Sequence, residues 1–72
     1  MSNVLIDARE MLPPEPLERA LAALDQIGAG DNLTLMLNQR PYPLFLVLAK
    51  NGFSWNEAEE ESGGFRYRIF RA

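Results

Sequence analysis

The chain has 72 residues, of which ten are acidic and seven basic, giving a net charge of −3; 47% are apolar, and there is neither cysteine nor histidine. Without cysteine there is no disulfide framework, thiolate nucleophile or thiolate metal site, and without histidine the commonest metal ligand and the commonest base near neutral pH are missing. A chain this short hides a small share of its surface, so most large apolar side chains are needed for one small core, in one domain spanning residues 1–72.

The negative balance argues against binding nucleic acid through its phosphates. The longest apolar run, Leu44 to Ala49, has six residues, far short of a bilayer span, and no basic segment leads into an apolar signal stretch. The expectation is a cytoplasmic protein with no membrane, metal or cofactor dependence.

Taken in chain order, NVLID (Asn3 to Asp7) is a short apolar run ended by polar residues, a candidate buried strand. Leu17, Ala20, Leu21, Leu24 and Ile27 then recur at helical spacing, and GAGDN (Gly28 to Asn32) stops that helix. In NLTLMLN, Leu33, Leu35 and Leu37 alternate with Thr34, Met36 and Asn38, which predicts a second strand. RPYPLFLVLAKNG reads as a second helix that opens with prolines and closes on Gly52 as its left-handed cap. FSWNEAEEE and FRYRIFR flank Ser62-Gly63-Gly64 as a hairpin. Strand, helix, strand, helix, strand, strand, with two right-handed crossovers, predicts an α/β two-layer sandwich: a βαβαββ chain whose two helices cover one face of a four-stranded mixed sheet.

The prolines punctuate the helices. Pro13 precedes another proline and is pushed toward extended backbone, so the first helix begins at or just after Pro14. Pro14 and Pro16 then fall in the first turn, where their missing amide hydrogens cost nothing, and Glu15 sits near the positive end of the helix dipole. Free amides at a helix start can bind an anion, but here two are missing and Glu15 repels a phosphate. PEPLERAL (Pro14 to Leu21) and PYPLFLVL (Pro41 to Leu48) share Pro-x-Pro-Leu-x-x-x-Leu, so one device opens both helices.

The stretch from Ile6 to Leu37 resembles the TusA/SirA-like sulfur-carrier family, whose signature is Asp-x-Arg after the first strand followed by Cys-Pro-x-Pro at the first helix. Asp7, Arg9, Pro14 and Pro16 match, whereas Pro13 occupies the position of the sulfur-carrying cysteine. Gly28, Gly30, Asp31 and Leu33 echo the family's Gly-x-Gly-Asp/Glu-x-Leu step, and FRYRIF is similar to its final strand. Through PPEPLE and GFSW the chain looks closer still to a cysteine-less sister family of small bacterial domains without assigned function. The resemblance implies sheet order 1-2-4-3 and does not carry over sulfur transfer.

Three constellations remain. Asp7, Arg9, Glu10 and Glu15 cluster around the first strand-to-helix turn; the simpler reading is an Asp–Arg pair that fixes the loop, and the sharper one is a site for a small anionic ligand using Asp7, Arg9 and Glu15. The carboxylates match no calcium-loop spacing. In the hairpin, a two- or four-residue loop sets Glu57 opposite Arg68 and Glu59 opposite Arg66, with Trp55 and Phe70 on that ion-pair face and Phe65, Tyr67 and Ile69 inward. The glutamates Glu57 to Glu61 also keep an edge strand from pairing with other chains.

The run Leu44 to Ala49 is apolar on every side of a helix, while a two-layer sandwich hides only the sheet-facing side. Leu44 and Leu48, with Phe45 or Val47, suffice for that side, so some of Phe45, Leu46, Val47 and Ala49 are expected at the surface. The expected function is therefore a non-catalytic module, not an enzyme, that binds another protein or itself through Arg40, Tyr42, Phe45, Leu46 and Ala49. The alternative is a cysteine-less accessory domain of a sulfur or redox pathway that holds a small anion at the Asp7 to Pro16 turn.

Overall fold

The structure is a computed structural model that describes residues 3–71. Its elements are β1 (Asn3–Asp7), α1 (Glu15–Leu24), β2 (Asn32–Leu37), α2 (Tyr42–Lys50), β3 (Phe53–Glu59) and β4 (Phe65–Arg71). The strands form one mixed sheet in the order β1-β2-β4-β3, with β1 parallel to β2 and both other pairings antiparallel. This is the expected α/β two-layer architecture, with both helices on one face.

The period of two in β2 decides where the core lies. Leu33, Leu35 and Leu37 are buried toward the helices, while Thr34 and Met36 face the other way. Tyr67 and Ile69 of β4 pair with Leu35 and Leu33 and continue the same layer. Ala20 and Leu24 of α1 and Leu44 and Leu48 of α2 close it from above, and Gly52 ends α2 with φ +78°.

Four details depart from the sequence expectation. Helix α1 ends at Leu24, so Ile27 is buried from the loop beyond it. Pro14 is the N-cap, with only Pro16 inside the first turn; Pro41 and Pro43 repeat that arrangement in α2. Strand β3 stops at Glu59, not Glu61.

The fourth departure is the hairpin register: Glu57 lies opposite Tyr67, Ala58 opposite Arg66 and Asn56 opposite Arg68. The expected Glu57–Arg68 and Glu59–Arg66 pairs are not formed. The loop has five residues, Glu60 to Gly64, closed by Glu60 N–H to Gly64 O (3.0 Å) and Gly63 N–H to Glu60 O (3.0 Å). An odd loop length shifts the pairing by one residue, and a one-residue shift turns every β3 side chain to the opposite face. Gly63 and Gly64 supply the two consecutive left-handed positions this loop needs, with φ +104° and +86°. A Cβ on Gly64 would also collide with the Leu37 carbonyl oxygen. Trp55 is consequently on the helix side, opposite Ile69, and stacks on Phe45 with centroids 4.9 Å apart and planes 4° from parallel.

Candidate functional site

Because β1 and β2 are parallel, the chain leaves both at the same end of the sheet, and both helices begin there. The two proline-opened starts stand side by side and enclose an open cleft of about 610 Å³. Met11, Leu12, Pro16 and Leu17 form one wall, Pro41, Pro43 and Leu44 the other, and Leu35 and Leu37 reach the floor. The walls are mainly apolar because the device that starts each helix is itself apolar. Leu12 is 80% exposed at the mouth.

The turn after β1 is held by Arg9. Its Nε and Nη2 donate to the two carboxylate oxygens of Asp7 (2.9 and 2.8 Å), and its Nη1 donates to Ser62 Oγ (2.7 Å) and Gly63 O (3.2 Å). Asn38, the residue after β2, donates from Nδ2 to the Arg9 carbonyl oxygen. Arg9 thus fastens the β1–α1 turn to β2 and to the β3–β4 loop. Hydrogen bonds from the Arg9 side chain, then from its backbone N–H, hold Asp7 below the usual carboxylate pKa, and the same pairing raises that of Arg9. All three guanidinium nitrogens have protein partners, which leaves the turn poorly equipped to seize an anion. Glu15 is not part of this cluster; it lies 3.6 Å from Arg19 one helical turn on.

A second polar group braces the other side. Tyr67 has no exposed surface, and its hydroxyl donates to Glu57 Oε1 at 2.7 Å. Arg40 Nε is 3.1 Å from that same oxygen, and the Arg40 guanidinium lies 4.8 Å from the centre of the Phe65 ring. The bond from Arg40, then that from Tyr67, keeps Glu57 ionised below its ordinary range. Burial, then the carboxylate beside it, pushes the Tyr67 phenol well above its usual value.

Helix α2 exposes part of its surface: Leu46 is 74% and Tyr42 65% exposed, and Ala49 is exposed as well. Phe45 is half-buried between Trp55 and Tyr67, so its main contacts lie inside the molecule. Arg40 sits at the cleft wall, Tyr42 and Leu46 on the outer stripe of the adjoining helix.

Sequence reasoning missed Asn38, Ser62 and the Arg40–Glu57–Tyr67 group. Only Tyr67 left a signal: an inward tyrosine on a core strand needs a partner for its hydroxyl. Among the described residues no three acidic side chains converge as metal ligands, and no helix is long and apolar enough to cross a membrane.

Comparison with curated proteins and with solved structures returns no match in either set. A family model described as an uncharacterized conserved protein, DUF2249, matches residues 5–71, from the first strand through the last, and the chain belongs to that family.

Proposed function

We propose that this domain is a non-catalytic, cytoplasmic binding module that takes an apolar segment of another protein into the cleft between its two helix starts and against the adjoining stripe of α2. The observation that carries this reading is that Leu12 stands exposed at the mouth of a cleft walled by Pro41 and Pro43, and that Tyr42 and Leu46, one helical turn apart on the helix those prolines open, are exposed as well. In a domain with a core this small, leaving large side chains exposed forgoes burial, and contiguous exposed apolar surface is characteristic of partner sites. Sites of this kind also form beyond the carboxyl ends of parallel strands in open α/β sheets.

A non-catalytic reading is supported by the state of the carboxylates. Asp7 and Glu57 are held ionised by arginines and so are poor proton donors at neutral pH. The likeness to TusA/SirA sulfur carriers supports a shared architecture, but Pro13 offers no nucleophile where those carriers have cysteine. The anion-binding alternative loses its main support because Arg9 is committed to Asp7, Ser62 and Gly63.

A photoreactive amino acid placed at Leu12 or Leu46 in the native cells tests this. The reading requires a discrete adduct from both positions and none from Glu18, an exposed residue of α1. Equal adducts from all three, or none from Leu12 and Leu46, would contradict it.

A further inference from the structure

The corrected hairpin register changes the other side of the sheet. With β3 turned over, Glu57 and Glu59 project on the helix side, and the uncovered face presents three cross-strand rows. Asn3, Asn32, Phe70 and Ser54 form the first, Leu5, Thr34, Arg68 and Asn56 the second, and Asp7, Met36, Arg66 and Ala58 the third. The only carboxylate in these rows is Asp7, at the margin and paired with Arg9.

Arg68 is exposed, and among the described residues it has no carboxylate within ion-pair distance; its guanidinium lies 5.5 Å from the Phe70 ring centre. Arg66 Nε comes within 3.2 Å of Glu60 Oε1 without the alignment of a hydrogen bond, and its side chain stays 53% exposed. A chain of net charge −3 therefore carries one face whose centre is positive.

We infer that this uncovered sheet face is a second binding surface, and that its occupant is an acidic segment of a partner protein whose carboxylates meet Arg68 and Arg66. Charge complementarity selects the occupant: the two guanidiniums are forks suited to carboxylates, and Thr34 and Asn56, flanking Arg68, add neutral hydrogen-bonding groups. Leu5, 67% exposed, and Met36 supply apolar contact beside the charges. A nucleic acid strand fits less well. It would want exposed rings for base stacking, and the one aromatic ring on this face, Phe70, is half-buried with Arg68 beside it.

Titrating the isotope-labelled protein with a synthetic glutamate-rich peptide, and separately with a single-stranded oligonucleotide of equal charge, tests this by amide chemical shifts. The expected result is salt-sensitive peptide binding with shifts centred on Thr34, Asn56, Arg66 and Arg68, and with the oligonucleotide weaker. Arg68→Gln should weaken the peptide roughly tenfold. Asn56→Asp, which sets a carboxylate opposite Arg68, should weaken it similarly without removing any contact of the core. Leu46→Glu should leave it unchanged, which separates this surface from the cleft. No binding, shifts centred elsewhere, indifference to both variants, or an oligonucleotide bound as tightly as the peptide would each overturn the inference.

Discussion

The Tyr67 hydroxyl, fully enclosed, gives its hydrogen to Glu57 at 2.7 Å, so a core residue and an edge-strand carboxylate depend on one another. The phenol is neutral in the fold and its pKa is raised above the ordinary value near 10, chiefly by burial. A group that binds its proton more tightly when folded contributes stability below its unfolded pKa and loses it as pH climbs above that value. Glu57 and Asp7 work in the opposite direction: lowered pKa values give stability above the ordinary carboxylate range, which is lost as pH falls through it. The denaturation midpoint should therefore be flat near neutrality and fall on both sides. Tyr67→Phe should cost about 1 kcal/mol at neutral pH and flatten the decline above pH ~10. An unchanged alkaline decline in that variant would show that Tyr67 is not its source.

Arg9 is the bridge between the β1–α1 turn and the hairpin loop. Arg9→Gln should raise amide hydrogen exchange in the loop Glu60 to Gly64 and in the turn after β1 together, while α2 keeps its protection. Exchange that rises in the turn alone would mean that the contacts with Ser62 and Gly63 do not hold the loop.

The two hairpin glycines should respond differently. A methyl group on Gly63 meets open space, so Gly63→Ala costs only backbone strain, about 1–2 kcal/mol. On Gly64 the same methyl strikes the Leu37 carbonyl as well, so Gly64→Ala should lose clearly more, about 3 kcal/mol or above. Equal losses measured by urea unfolding would argue against this loop geometry, and with it the hairpin register.

That register marks the boundary of what the chain discloses in one dimension. Leu33, Leu35 and Leu37 announced β2 and its buried face because their alternation is a local property. Leu44 and Leu48 likewise identified the inner side of α2, whereas the run left open which of Phe45, Leu46, Val47 and Ala49 reach the surface; Leu46 and Ala49 do, and Phe45 and Val47 are half-buried. Glu57 and Trp55 were assigned to the wrong face because facing depends on whether the loop holds an even or odd number of residues, which Ser62-Gly63-Gly64 did not decide. The cleft was hidden for another reason. Its walls come from Met11 to Leu17 and from Pro41 to Leu44, far apart in sequence, and only the parallel pairing of β1 with β2 sets them together. The repeated Pro-x-Pro-Leu was the trace of that arrangement, since two helices following adjacent parallel strands start side by side. The contact of Arg9 with Ser62 spans more than fifty residues and left no local pattern.

Leu46 and Leu48 differ by two positions and by opposite environments, 74% against 1% exposed. Leu48→Glu places an unpaired carboxylate in apolar surroundings, costing on the order of 5 kcal/mol or more, enough to unfold a domain whose total stability is about 5. Leu46→Glu should change the unfolding free energy by no more than about 0.5 kcal/mol. Circular dichroism through a urea titration distinguishes them, and a Leu46→Glu protein that unfolds like Leu48→Glu would remove α2 from the exposed surface.

The most direct test of the binding surface couples the two ends of the apolar tract. With the photoreactive group at position 12, at the cleft mouth, the yield of partner adduct in native cells is compared between the otherwise wild-type chain and the same chain carrying Leu46→Glu. One partner spanning both sites predicts that the adduct falls at least about tenfold while the urea midpoint stays put. An adduct undiminished by Leu46→Glu would contradict a continuous surface running from the cleft onto α2.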